Sequence, residues 1–132
     1  MTDACDVEDL DGDQLAQALE VAAVNCSWET RAAVGLIVAQ RSWLYRWEFR
    51  QAVEIDMDDD GRLCAWVDWS EVDMTAIASA GELRIMEIAR SLGGIPSGRP
   101  LSDLLTSLDD QNLARVIAAV EVAARGHQGA SW

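Results

Sequence analysis

Apolar positions change their spacing twice along the chain, dividing it into helices, a hairpin and helices again. Leu15, Leu19, Ala22 and Ala23 recur at helical intervals and predict one buried stripe, on a helix capped by Asp11 or Asp13 and running to about Val24. Acids in its first turn suit the helix dipole. Ser27 is placed to cap a second helix, Trp28 to about Gln40, with Ala33, Leu36, Ile37 and Gln40 on neighbouring faces. Ser42 is a further capping residue, so 28–51 reads either as one kinked helix or as two. Trp43 and Trp47 stand one turn apart and are expected to pack together in the core.

From Ala52 to Met57 and from Arg62 to Trp69 the period drops to two. Val53, Ile55 and Met57 fall on one side with Leu63, Ala65, Val67 and Trp69, while Glu54, Asp56, Asp58, Cys64, Trp66 and Asp68 fall on the other. Asp60 and Gly61 between the runs signal a hairpin, because glycine reaches positive φ without steric cost.

Helical spacing then returns. Ser79 and Glu82 have capping-box spacing ahead of Leu83, Ile85, Met86, Ile88, Ala89 and Leu92, and Gly93 and Gly94 end that helix. Pro100 starts a short helix to Leu108. Asp109 caps a last helix from Asp110 to Arg125, ended by Gly126, with Leu113, Val116, Ile117, Val120 and Ala124 as its expected buried stripe. Residues 1–10 lack periodicity and read as a flexible acidic arm, 11–126 as a single domain, and 127–132 as a frayed tail. The order ααββααα predicts an α+β fold of about five helices and one two-stranded antiparallel hairpin, which must lie on helices because a lone hairpin is marginal.

Composition narrows the class. A chain of 132 residues that is half apolar, with mean hydropathy near zero, can bury a working core. No run approaches the roughly 18 apolar residues of a membrane span. The acidic start is unlike a secretory signal, and Cys5, Cys26 and Cys64 form neither a disulfide framework nor a zinc spacing. These features point to the cytoplasm. All ten basic residues are Arg, which a GC-rich coding sequence explains.

The formal net charge of −13 is concentrated in two stretches. Residues 1–20 carry seven acids and no base. Residues 54–73 carry eight acids against Arg62, and the remainder is close to balanced. Such a field disfavours direct contact with nucleic acid or membranes and favours basic partners or cations.

Little in the chain suits catalysis. His127 is the only histidine and follows the last expected helix. The absence of Lys excludes a Walker-type phosphate loop and a Lys Schiff base. The acids at Asp58, Asp59 and Asp60 crowd a turn with nothing apolar to raise a pKa. Asp56, Asp58, Asp60, Gly61 and Leu63 match the first half of an EF-hand loop. The second half fails, because Val67 stands where the bidentate Glu is needed and the flanks read as strands. Weak divalent-cation binding by Asp56, Asp58 and Asp60 is therefore an alternative; no cofactor is expected. A helix-turn-helix reading of 82–108 meets a short helix bearing Ser102, Asp103, Thr106 and Ser107 instead of basic side chains.

Trp66 is the informative aromatic. The alternation sets it with Glu54, Asp56 and Asp68 on the face away from the helices, the composition of an anchor for a basic partner. Burial of Trp66 under the N-terminal arm or a second copy of the chain is the competing reading.

From Ser79 the order of signals carries a resemblance. Ser79, Gly81 and Glu82 open it, followed by Ile88-Ala89-Arg90-Ser91-Leu92, Pro100-Leu101-Ser102-Asp103-Leu104-Leu105, Leu108-Asp109-Asp110 with Asn112, and Ala124-Arg125-Gly126. Together they resemble small uncharacterised proteins of actinobacteria and their phages or mobile elements. The resemblance covers about 50 residues. It implies an accessory role in a phage or mobile-element setting, and no activity, cofactor or site.

The expectation is a non-enzymatic acidic interaction protein that binds a basic, nucleic-acid-binding partner, in its sharpest form an inhibitor that mimics DNA, as phage-encoded anti-defence proteins do. Its expected contacts are Asp56, Asp58, Asp59, Asp60, Trp66 and Asp68, with Asp9, Asp11 and Asp13 more loosely. The alternative is a binding or assembly module, homodimeric in one form, in which the charge is incidental.

Overall fold

In the computed structural model, which describes residues 6–128, the chain folds as an α+β domain. The elements are α1 (Gly12–Ala23), α2 (Trp28–Gln40), α3 (Trp47–Arg50), β1 (Val53–Met57), β2 (Leu63–Val67), α4 (Ala80–Leu92), α5 (Leu101–Thr106) and α6 (Asp110–Gln128). Short 3-10 turns lie at Val7–Asp9, Ser42–Tyr45 and Trp69–Glu71.

The caps expected at Asp11, Ser27 and Ser79 form, whereas Ser42 caps no helix. Asp11 and Gln14 exchange hydrogen bonds across the first turn of α1, and Ser79 and Glu82 do the same at α4. The Ser27 hydroxyl accepts from the Thr30 amide at 3.2 Å. Leu15, Leu19, Leu36, Ile37, Ile85 and Met86 are fully buried where α1, α2 and α4 supply the core.

The chain breaks between α2 and α3. Arg41 ends α2 with a φ of 73°, on the left-handed side of backbone space, and Arg46 is extended before α3. The one-turn relation between Trp43 and Trp47 is thereby lost. Trp43 is fully buried and donates Nε1 to the Glu82 carbonyl at 2.9 Å, whereas Trp47 is exposed. The expected core pair does not form.

The hairpin register pairs Val53 with Val67, Glu54 with Trp66, Ile55 with Ala65, Asp56 with Cys64 and Met57 with Leu63. Gly61 supplies the positive φ of its turn, at 78°. Successive strand side chains alternate faces; Val53, Ile55, Leu63, Ala65 and Val67 join the core cluster, and β2 packs on α1.

Residues 6–10, expected within a mobile arm, are packed: Leu10 is buried, and Arg50 Nη1 donates to the Val7 and Leu10 carbonyls at 2.8 Å each. Residues 1–5 of that arm lie outside the described residues. At the other end the helical backbone continues through His127 to Gln128, past the expected stop at Gly126. The rest of the expected tail, with Trp132, is outside the described residues.

The buried edge of α6 is also rotated from the expected one. Val116 and Ala119 are buried, while Leu113, Ile117 and Val120 are exposed. Alanine lets α6 approach α2 closely at Ala119, so the small residue takes the core position and the larger ones turn outward.

Candidate partner-binding surface

Two short strands place Trp66 in the open. Its cross-strand partner is Glu54, and directly opposite side chains in an antiparallel pair stand about 4.5–5.5 Å apart at Cβ. Asp56 is the diagonal neighbour on the same face, and Asp68 follows two residues after Trp66. Trp66 is 43% exposed, and Glu54, Asp56 and Asp68 are exposed around it. Cys64, on the same face opposite Asp56, is buried; that burial, with the Asp58 carboxylate nearby, pushes its thiol pKa up.

The other expected contacts divide by what their oxygens already do. Asp58 is a turn residue: Oδ1 accepts from the Asp60 and Arg62 amides at 2.9 and 2.8 Å, and Oδ2 accepts from Arg62 Nε at 3.1 Å. The Arg62 amide first, then the Asp60 amide and the guanidinium, hold its carboxyl below the usual range. Asp60 Oδ2 faces Arg62 Nη2 at 3.9 Å. Asp68 caps the turn after β2, accepting from the Ser70 amide and hydroxyl at 3.2 and 2.6 Å. Asp59 is exposed and makes no hydrogen bond among the described residues.

The N-terminal acids do not join this surface as a block. Asp11 caps α1, and Asp13 pairs with Arg41 at 2.6 Å. Asp11 precedes the helix that packs on β2, and Asp13 lies in its first turn. Asp9 caps its own turn by accepting from the Asp6 amide at 3.2 Å, and that turn touches β1. The open acidic surface is therefore Glu54, Asp56 and Trp66, bordered by Asp68, with Asp59 and Asp60 exposed in the hairpin turn; Asp56 Oδ1 also accepts from the Met57 amide at 2.8 Å.

The EF-hand resemblance at the tip does not extend to ligand geometry. Arg62 and two amides take up the Asp58 oxygens, and among the described residues no group of three or more His, Cys, Asp or Glu is disposed to hold a metal ion.

Sequence reasoning missed two other surfaces. One is the exposed apolar stripe of Leu113, Ile117 and Val120 on α6. The other is a groove of about 420 Å³ between α2 and α6, floored by Ala32, Gly35, Leu36, Ala118 and Ala119. The signal for both was the series Ala114, Ala118 and Ala119 beside Gly35 and Ala39, which marks where two helices come close.

No helix among the described residues is long and apolar enough to cross a membrane. No protein-family model, curated protein or solved structure matches the chain.

Proposed function

We propose that the protein is a non-enzymatic binding module that docks a basic, nucleic-acid-binding protein on the open face of its hairpin. The observation that supports this reading best is the exposed indole of Trp66 directly across the strand pair from Glu54, with Asp56 beside it. Tryptophan supplies desolvated contact area, and the surrounding carboxylates supply orientation and a faster encounter. Carboxylates such as those of Asp56 and Asp59 can stand in for phosphates before a basic partner, so the sharpest form of the proposal is an inhibitor that competes with DNA or RNA. Asp11, Asp58 and Asp68 contribute charge to the field but are held by their capping and turn bonds.

The test is affinity capture from a nuclease-treated bacterial lysate with the wild-type chain and with Glu54→Gln/Asp56→Asn/Trp66→Ala. Capture of a basic nucleic-acid-binding protein by the wild type alone, displaced by added duplex DNA, supports the proposal. Identical capture by both proteins counts against it.

A second reading has its own observation. Leu113, Ile117 and Val120 lie a turn apart along α6 and are 36%, 52% and 52% exposed, the pattern of a face that another chain covers. In that reading the module assembles through α6, and Ile117→Asp, not the hairpin variant, abolishes association in sedimentation.

A further inference from the structure

The hairpin has a free edge along β1. The Asp58 amide donates to the Arg62 carbonyl at 2.8 Å, and the Asp68 amide to the Ala52 carbonyl at 2.9 Å. Bonded and non-bonded pairs alternate along an antiparallel ladder. The backbone groups of Glu54 and Asp56 therefore turn towards β2, and those of Val53, Ile55 and Met57 turn away from it. Asp56 Oδ1 accepts from the Met57 amide at 2.8 Å. The Ile55 amide and carbonyl have no hydrogen-bond partner among the described residues. The Val7–Asp9 turn touches β1 without a backbone bond to it. Val53 is buried, whereas Glu54, Asp56 and Met57 are exposed, so the open stretch is 54–57.

An unpaired edge is a template for another strand, and charge decides which strand this one takes. A strand added beyond β1 sets one residue opposite Ile55, on the core-facing side, and its two neighbours opposite Glu54 and Asp56. A second copy of β1 is a poor occupant. Every antiparallel register that pairs Ile55 with Val53, Ile55 or Met57 of the copy also opposes an acid at 54 or 56 to another acid. Like charges directly opposite one another are destabilising, and opposite charges are favourable.

We infer that β1 accepts an antiparallel strand of basic–apolar–basic pattern from the partner protein. Its apolar side chain covers Ile55 beside the exposed Met57, and its basic side chains meet Glu54 and Asp56. Backbone bonds to Ile55 supply affinity, and the alternating side chains supply selection. The inference rests on the proposed function, whose basic partner it describes as docking through an extended segment.

The experiment is an amide-resolved NMR titration of the full chain, in about 0.05 M salt, with the end-capped peptide Arg-Val-Arg-Val-Arg. One control is the same peptide N-methylated at both valines, which keeps the charge and removes the donors that face β1. The Ile55 amide should exchange rapidly with solvent in the free chain and at least about tenfold more slowly with peptide bound. N-methylation should weaken binding at least about tenfold, and Glu54→Gln/Asp56→Asn should do the same. The inference is overturned if the Ile55 amide is already protected in the free chain or if the peptide leaves its exchange unchanged. It is equally overturned if the N-methylated peptide binds as well as its parent. Binding of both peptides that Glu54→Gln/Asp56→Asn abolishes would remove the added strand and keep the proposed function. Binding that ignores those two substitutions counts against both.

Discussion

Arg50 Nη1 reaches the Leu10 carbonyl at 2.8 Å across forty residues of chain, and the same guanidinium serves the Val7 and Leu44 carbonyls. Arg50 is 9% exposed, and it works as a cross-link between the N-terminal turn, the Ser42–Tyr45 turn and α3. Arg50→Ala should lower stability by about 2–4 kcal/mol, because it leaves buried carbonyls without donors. Arg50→Lys should recover only part of that loss, since one ammonium cannot match the fork. Denaturant midpoints measure both.

The pH dependence of stability has a local origin at Glu82, whose pKa is held down to about 2. The Ser42 hydroxyl, the Ser79 amide and Arg46 all favour its charged form. The Ser42 hydroxyl is also placed to donate to Gln40 Oε1 at 2.8 Å, so the Ser79 amide at 3.0 Å and Arg46 at 3.1 Å are the firmer contributors. A depressed carboxylate pKa stabilises the fold above its ordinary value of 4.5, and that stability is lost as pH falls towards about 2. The loss is at most about 3 kcal/mol, and smaller to the extent that the Ser42 hydroxyl serves Gln40 instead. Glu82→Gln should be less stable at pH 6 and should show a flatter stability profile below pH 4.5.

Two glycines that crowd aromatic rings should respond differently to alanine. A side chain at Gly93 would overlap the ring of Trp69, which is buried and packed against Phe49 with ring centroids 6.4 Å apart. One at Gly12 would overlap Tyr45, which is 60% exposed. Gly93→Ala should cost about 1–3 kcal/mol through overpacking. Gly12→Ala should cost less than about 1 kcal/mol, because the tyrosine ring can swing into solvent. Thermal unfolding separates the two.

Much of this architecture was legible. Ser27, Asp11 and Ser79 with Glu82 marked three helix starts, and alternation about Gly61 located the hairpin with its register. These signals are local, and tertiary packing reinforced them. The misread elements depended on distant partners. The break at Arg41 is a non-glycine residue at positive φ, stabilised by its bond to Asp13 twenty-eight residues away, and it is what separates Trp43 from Trp47. On α6 the apolar residues outnumber the space beneath them, so helical spacing alone could not decide which edge faces α2.

The candidate site was half legible for a related reason. Alternation put Glu54, Asp56 and Trp66 in the open, although Cys64 on that face is buried and Met57, expected on the core face, is exposed; acids that cap and turn also look the same in sequence as acids free to meet a partner. Asp58 and Asp59 illustrate the difference. Asp58→Ala removes the acceptor for two turn amides and should lower the unfolding midpoint measurably, whereas Asp59→Ala, with no bonds among the described residues to lose, should leave it unchanged. In partner capture the order should reverse, with Asp59→Ala weakening retention in a protein of undiminished stability.

The central claim is that the carboxylates around Trp66 steer and hold a basic partner. The most direct measurement is the dissociation constant of the captured protein from about 0.05 to 0.5 M salt, for the wild type, for Glu54→Gln/Asp56→Asn/Asp59→Asn and for Trp66→Ala. The account predicts a steep loss of wild-type affinity with salt and a shallower slope for the triple variant. It also predicts a uniform weakening of about tenfold or more for Trp66→Ala, with the slope preserved. Affinities that ignore salt, or that all three proteins share, would contradict it.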